Sequence, residues 1–131
     1  MKKESADLER TTHSQQHDLR ERTKAFALRI VRLYAALPKT TEAQILGKQV
    51  LRAGTSAGAH YREAARSRSS AEFVSKMQVG LQELDEAMYW MELLVDASIV
   101  SRRRLAPLMD ETDQLIAIFV TCVRRARSKQ E

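Results

Sequence analysis

The sequence predicts an all-α protein, an antiparallel up-down-up-down bundle of four helices, and three observations support this. Large apolar residues recur at spacings of three and four in four successive segments, which places them on one face of a helix in each. Only four glycines and two prolines occur in 131 residues, and aromatic residues make up only 5%. A β-rich chain would need more turn residues and more aromatic or β-branched residues.

The composition is that of one globular domain, large enough to bury its own core. Hydrophobic residues make up 44% of the chain and charged residues 30%. Cys122 is the only cysteine, so no intrachain disulfide can form and a reducing compartment is the simpler assumption. No apolar run reaches the roughly 20 residues of a membrane span, and residues 1–24 hold no secretory hydrophobic segment. We therefore expect a soluble, cytoplasmic protein that does not bind membranes.

The chain divides into a polar N-terminal segment and a helical domain. Residues 1–16 have mixed charge and, after the initiator methionine, one large apolar residue, Leu8. We expect this segment to be disordered or frayed and the four-helix bundle domain to span residues 17–131. Pro38 ends the first predicted helix, whose apolar face comprises Phe26, Ile30, Leu33, Tyr34 and Leu37.

A capping box begins the second predicted helix. Thr41 and Gln44 have the spacing at which each side chain satisfies a free backbone N–H group. The middle of this helix, residues 53–59 (AGTSAGA), contains only small residues, and its two glycines cost about 1 kcal/mol each relative to alanine. Either the small side chains let a neighbouring helix approach closely, or the segment is a kink.

The third predicted helix follows a second capping box, Ser69 with Glu72, and has the most regular pattern in the chain. Its apolar seam has heptad spacing and comprises Phe73, Met77, Leu81, Leu84, Met88, Met91 and Val95. Val79, Trp90 and Leu93 fall on roughly the opposite side. A helix with apolar residues on two sides must contact something on both, so these three are candidates for an oligomer interface or a fold-back contact.

The fourth predicted helix opens at Ser101 and carries an apolar stripe from Leu105 to Val123. Pro107 lacks a backbone N–H donor. Either the first turn of the helix therefore lies near Ala106, where proline is tolerated, or the helix is kinked.

No catalytic signature is present in the sequence. There is no glycine-rich phosphate loop, HExxH, CxxC or nucleophile elbow, and the Glu-x-x-His pairs of a di-iron bundle are absent. His13 and His17 have the spacing of a metal pair but are more simply solvated residues of the polar segment, and Cys122 is expected to be a core residue. We expect no enzyme, no catalytic residue, no metal or other cofactor, and no small-molecule substrate.

The net charge of +5 comes from 22 basic and 17 acidic residues, and most of the excess lies after residue 97. Near the turn between the second and third predicted helices, one interpretation of the charges is interhelical ion pairs, which contribute little when exposed. If these helices pair antiparallel, Arg52 lies beside Asp85 and Glu86, and Glu63 lies beside Lys76. The other interpretation is contact with nucleic-acid phosphates, for which the candidates are Arg62, Arg66, Arg68, Arg102, Arg103, Arg104, Arg124, Arg125 and Arg127. At the turn the ion pairs are the simpler interpretation, because neighbouring acids would neutralise much of the positive charge.

Three stretches of the sequence resemble a known family. They are Val50 to Ala64 (VLRAGTSAGAHYREA), a run from Ser67 to Trp90 that includes SR, AEF, KM, EL and YW, and Leu115 to Phe119 (LIAIF). Together they resemble the bacterial four-helix bundle proteins, also called 23S rRNA intervening-sequence-encoded proteins, over about residues 20–127. His60 stands where the family pattern has asparagine.

The resemblance implies an antiparallel four-helix bundle that assembles into a ring-like homopentamer, which would explain the second apolar side of the third helix. The family is also similar to the accessory variability determinant protein of diversity-generating retroelements, a basic pentamer that binds nucleic acid and a reverse transcriptase. Two hypotheses follow. The first is a non-enzymatic oligomeric scaffold or adaptor whose partner is itself, and the second is a protein that binds structured RNA or DNA.

Overall fold

Four long α-helices form where apolar residues repeat at helical spacing, and short connections separate them. In the computed structural model they are α1 (Lys2–Ala36), α2 (Thr41–Ala65), α3 (Ser70–Asp96) and α4 (Arg102–Gln130). The structure describes the backbone of residues 2–130 and the side chains of residues 19–129. No strand occurs within residues 2–130, so the prediction of a four-helix, all-α fold is confirmed.

The first helix begins earlier than the sequence pattern indicated, at Lys2 instead of near residue 17. The side chains of residues 1–18 lie outside the described part of the chain, and so does the predicted His13 and His17 pair. The division into a tail (1–16) and a bundle domain (17–131) stays a prediction. Helix α1 ends just before Pro38, since proline disfavours helical geometry in the residue that precedes it.

The start of α2 lies one residue away from the predicted cap. Thr40, and not Thr41, is the N-cap, and its side chain accepts a backbone N–H of the first turn at 3.4 Å. Gln44 does not complete a capping box but donates its amide to the Pro38 carbonyl at 2.9 Å. Its side-chain oxygen accepts the Tyr34 hydroxyl at 3.0 Å. The predicted capping box of Thr41 and Gln44 is therefore wrong. Gln44 instead stabilises the connection between α1 and α2 through these two hydrogen bonds.

The predicted N-cap of α3 is present, but the reciprocal hydrogen bond of the capping box is shifted by one residue. Ser69 accepts the N–H of Glu72 at 3.1 Å, as predicted. The Glu72 carboxylate accepts the N–H of Arg68 at 3.3 Å, one residue before the cap itself. The two bonds tie the α2–α3 turn to the first turn of α3.

The connection from α3 to α4 uses a left-handed residue. Ser98 has a φ of 60°, and the N–H groups of Ser98 and Ile99 donate to carbonyls of the last turn of α3 at 2.9 and 3.0 Å. This is the arrangement in which glycine usually ends a helix. Helix α4 then begins at Arg102, with Ser101 accepting a first-turn N–H at 3.3 Å. The alternative of a first turn near Ala106 is wrong, because Pro107 lies inside the helix.

Glycines allow α1 and α2 to lie close together. A Cβ atom on Gly54 would lie 2.7 Å from Cγ1 of the buried Ile30, and one on Gly58 would lie 3.1 Å from Oγ1 of Thr23. Helix α2 continues unbroken through residues 53–59. Close approach of a neighbouring helix is therefore confirmed as the role of this segment.

Each helix packs mainly against the helix before and after it in the chain. The contacts join α1 to α2, α2 to α3, and α3 to α4, while the contact between α1 and α4 is small. In that small contact, Arg22 Nε donates to Glu111 Oε2 at 3.2 Å, and the same guanidinium donates to Gln114 at 3.1 Å. None of the helices within the described part of the chain is long and apolar enough to cross a membrane.

The buried face of α3 differs from the predicted heptad seam. Met77, Leu84 and Met91 are fully buried, as predicted. The other seam residues, Phe73, Leu81, Met88 and Val95, are only partly buried. The buried row is completed by Val74, Gly80, Ala87 and Leu94. Since α3 packs against both α2 and α4, its buried face is centred between two neighbours, and small residues occupy positions where the helices come close.

Candidate functional site

A pocket of about 720 Å³ lies at the end of the bundle where α2 turns into α3, and we call it the turn pocket. Helix α4 contributes residues spaced three and four apart, which lie on one side of a helix: Cys122, Arg125, Ala126 and Lys129. The α2–α3 turn contributes Ser67, Arg68, Ser69 and Ser70, and apolar residues close the floor. The pocket therefore combines a polar rim with an apolar interior.

The described charged residues on the rim of the turn pocket are all basic. Arg68 comes from the turn and Arg125 and Lys129 from the end of α4, and all three are exposed. Among the described residues that line the pocket, none is acidic. The first turn of α3 also lies here, and a helix N-terminus favours anions. The arrangement suits a negatively charged ligand.

Burial keeps the two weakly acidic groups of the turn pocket protonated. The hydroxyl of Tyr61 has its pKa raised to about 12, chiefly because the residue is buried. Burial also raises the pKa of the Cys122 thiol, and the nearby Arg125 guanidinium opposes that effect only in part. A thiol rather than a thiolate is a poor nucleophile, so the raised pKa disfavours nucleophilic attack by Cys122.

The predicted phosphate-contacting arginines fall into two groups at opposite ends of the bundle. Arg68 and Arg125 meet in the turn pocket, and the exposed Arg66, Arg124 and Arg127 lie at the same end, with Arg62 half-buried. The exposed Arg102, Arg103 and Arg104 begin α4. They lie about 33 Å from Arg125 along the helix axis, at 1.5 Å per residue. One compact ligand therefore cannot contact both groups.

The predicted ion-pair residues lie along the α2–α3 surface. Lys76 Nζ is 3.2 Å from Glu63 Oε2, and the hydrogen bond from Lys76 lowers the pKa of the Glu63 carboxyl. Arg52 lines a surface groove of about 480 Å³ together with Asp85 and Glu86. The structure thus brings Arg52 and the two acids into one groove, as the antiparallel register predicts.

The same groove carries exposed aromatic and apolar residues. The Tyr89 and Trp90 rings stack with their centroids 5.1 Å apart, and Tyr89 is 51% exposed. Ile45, Gln49 and Arg52 lie on one face of α2, and Val79, Gln82, Glu86 and Tyr89 lie on one face of α3, because their spacings are three and four. We call these seven residues together with Trp90 the α2–α3 strip.

The three predicted oligomer-interface residues have different surroundings. Val79 is 39% exposed and lies on the α2–α3 strip. Trp90 lines the groove but is half-buried and also packs against the core. Leu93 is half-buried and does not line the groove. Of the predicted set, Val79 therefore has the largest exposed fraction.

Sequence reasoning missed several residues of both surfaces. Lys129 and the serines of the turn pocket were not among the candidate binding residues. Cys122, expected in the core, does pack against the core but is half-buried and also lines the pocket. The spacing of three and four residues from Cys122 to Lys129 could have indicated that these residues share one side of α4. Ile45 and Tyr89 were also missed, although Ile45 is 58% exposed. Among the side chains of residues 19–129, no group of three or more histidine, cysteine, aspartate or glutamate residues could hold a metal ion.

The fold and these surfaces define a small four-helix protein with a basic pocket at one end and one partly apolar side. The chain belongs to the 23S rRNA-intervening sequence protein family, whose model matches residues 15–121. It is similar to a crystal structure of a protein of unknown function from the S23 ribosomal protein family of Bacteroides thetaiotaomicron. The identity is 30%, the TM-score is 0.78, and the match covers 83% of this chain and 97% of the other. No curated protein matches the chain. The predicted family membership is confirmed.

Proposed function

We propose that this protein is a non-enzymatic four-helix module that associates with copies of itself and serves as a scaffold or adaptor. The α2–α3 strip carries the proposal. Five large hydrophobic residues are exposed among the described side chains, and three of them, Ile45, Val79 and Tyr89, lie on this strip. Tyrosine, tryptophan and arginine are enriched at protein interfaces, and Tyr89, Trp90 and Arg52 meet in the groove.

The proposed subunit is an antiparallel up-down-up-down bundle. Contacts between α1 and α2 support this, because Gly47 lies against Leu37, Gly54 against Ile30 and Gly58 against Thr23, so the numbers rise on one helix as they fall on the other. The numbers run in opposite directions across α2 and α3 as well. Glu63 pairs with Lys76, and His60, earlier on α2, contacts Gly80, later on α3.

A ring is the proposed form of the assembly. A ring of more than two subunits needs two different patches that fit each other. The remaining exposed hydrophobic residues, Leu28 and Val31, lie one turn apart on α1 and supply a second patch. Five is the number of subunits that the family resemblance implies.

The oligomer test is the molar mass in solution. We expect light scattering behind a sizing column to give five times the 14.9 kDa of one chain. Val79→Lys together with Tyr89→Lys is expected to give monomers, because two charges would be buried without partners in the interface. Both residues are exposed, so the substitutions leave the folded subunit intact.

Two controls sharpen this test. Gln78→Lys adds one lysine at an exposed position beside Val79, and we expect it to leave the assembly unchanged. Circular dichroism of the double variant checks that the monomer is still helical. A wild-type protein that is monomeric at micromolar concentration would contradict the proposal, as would a double variant that keeps the wild-type mass.

A second function, binding of structured RNA or DNA, is favoured by the clustering of cations at one end of the bundle. Arg66, Arg124 and Arg127 are exposed around the turn pocket. Because Arg102, Arg103 and Arg104 lie at the opposite end, we propose that nucleic acid contacts the turn-pocket end only. Phosphate contacts of this kind supply sequence-independent, salt-dependent affinity.

Fluorescence anisotropy with a labelled RNA hairpin at several salt concentrations tests this second function. Changing Arg66, Arg124 and Arg127 together to glutamine is expected to lower the slope of log K against log salt by about 2, at 0.7–0.9 per phosphate contact. The matched control changes Arg102, Arg103 and Arg104 to glutamine and is expected to keep the wild-type slope. Absence of binding at low salt, or equal losses in the two triple variants, would contradict this function.

A further inference from the structure

We infer that the turn pocket binds a nucleotide unit, with the phosphate held by Arg68, Arg125 and Lys129 and the base against the apolar floor. The inference deepens the nucleic-acid function proposed above, since a nucleotide can arrive free or as the end of an RNA strand.

The size of the turn pocket fits a ligand of this class. Its volume is about 720 Å³, within the roughly 300–1,000 Å³ usual for small-molecule and cofactor sites. The pocket is bounded by all four helices, since Leu19 comes from α1, Tyr61 from α2, Phe73 from α3 and Ala126 from α4. A site with walls from several elements can hold both ends of one ligand.

The rim of the pocket matches the charge and hydrogen-bonding capacity of a phosphate. Two guanidinium groups and one ammonium group converge on it from two elements, and guanidinium groups pair with phosphate oxygens through two parallel hydrogen bonds. Ser70 and Ser128 line the same space, and their hydroxyls can donate to further oxygens. Glu72, the acid nearest to Arg68 in the chain, accepts the backbone N–H of Arg68 and is not among the lining residues.

The interior of the pocket matches a planar, weakly polar group. The half-buried Phe73 and the exposed Ala65 supply the apolar surface that a ligand can reach, whereas Leu19 and Tyr61 line the same space with almost no exposed surface. Bases of single-stranded nucleic acids bind proteins largely by contact with aromatic side chains. A bare inorganic phosphate would leave Phe73 and Ala65 in contact with water, so a ligand with both parts uses the pocket more fully.

Cys122 provides a built-in reporter for the test. It is the only cysteine of the chain and lines the pocket, so a bound ligand would shield it from a thiol reagent. We propose to measure its reaction with a disulfide reagent at mildly alkaline pH, with adenosine 5′-monophosphate, uridine 5′-monophosphate, adenosine or inorganic phosphate present. Both nucleotides are expected to slow the reaction at lower concentrations than adenosine or phosphate.

Arg68→Gln and Arg125→Gln are expected to weaken nucleotide protection by about tenfold or more each, the loss typical of a charge-assisted hydrogen bond. Arg32→Gln, an exposed substitution on α1, is the matched control. Since Arg125 also lowers the pKa of the thiol, rates are compared with and without ligand within each variant. Circular dichroism confirms that each variant is folded. Equal protection by adenosine and nucleotide, or full protection in Arg68→Gln, would overturn the inference.

A short RNA with and without a 5′-phosphate distinguishes the two sources of the nucleotide. If the phosphorylated RNA protects Cys122 far better than free nucleotide, the ligand is a strand end, and if free nucleotide protects as well, it is a mononucleotide. Protection by nucleotide without any binding of the RNA hairpin would leave the pocket site standing and remove the nucleic-acid function. Hairpin binding without protection of Cys122 by any nucleotide or RNA would overturn the pocket inference alone.

Discussion

Phe119→Ala is expected to lower the free energy of unfolding by about 3–5 kcal/mol, the usual cost of deleting a buried aromatic side chain. Phe119 is fully buried. Its ring lies 6.3 Å from that of Tyr61 on α2, and its Cε2 would lie 2.9 Å from a Cβ on Gly80 of α3. One side chain of α4 therefore fills the space between two other helices, and its loss leaves a cavity that neither can close.

Urea unfolding followed by circular dichroism measures this effect, at one fixed protein concentration because self-association would itself stabilise the fold. Arg124→Ala removes a large side chain from an exposed position of the same helix, and we expect it to change the unfolding free energy by no more than about 0.5 kcal/mol. A loss below about 1 kcal/mol in Phe119→Ala would contradict the central position assigned to this ring.

Gly54→Leu is expected to destabilise the protein by about 1–3 kcal/mol, although leucine is a far better helix former than glycine. Even a Cβ at this position would lie 2.7, 3.0 and 3.1 Å from three side-chain atoms of Ile30. Ile30 is fully buried and cannot move aside freely. The new side chain would push α1 and α2 apart, and the loss of packing would exceed the gain in helix propensity.

The double variant Gly54→Leu with Ile30→Ala tests the contact directly. Ile30→Ala makes room for the new leucine across the α1–α2 interface. We therefore expect the double variant to lose about 0.5–3 kcal/mol less unfolding free energy than the two single losses added together. Ala59→Leu introduces the same side chain at an exposed position of α2 and should be neutral or slightly stabilising. Additive effects of Gly54→Leu and Ile30→Ala would contradict the close approach at Gly54.

The number and type of the helices, and their approximate ends except the start of α1, could be predicted from the sequence, because helical periodicity and proline act over a few residues. Pro38 and Ser69 gave correct boundaries on this basis. The predicted buried face of α3 was only partly correct, because the prediction centred that face on the large apolar residues. In the structure Gly80 and Ala87 are buried while Leu81 and Met88 are partly exposed. Which side of a helix lies nearest its neighbours depends on packing that periodicity alone does not encode.

The candidate sites were predictable in part. Arg68 and Arg125 were both candidates for phosphate contact, but their meeting in one pocket depends on how α4 packs beside the α2–α3 turn. When each helix is predicted separately, nothing distinguishes Arg68 and Arg125 from Arg102, Arg103 and Arg104 at the other end of the bundle. The pairing of Glu63 with Lys76 was easier, because two helices joined by a short turn have a register that the turn itself sets.

The packing of each helix against its neighbours in the chain has a consequence for how the protein folds. The connections between helices are only four or five residues long, so closing them costs little chain entropy. Proteins whose contacts join residues near in sequence fold within milliseconds or faster. The hairpin of α1 and α2 can form on the ribosome before α4 has been synthesised, and the small contact between α1 and α4 is then the last to form.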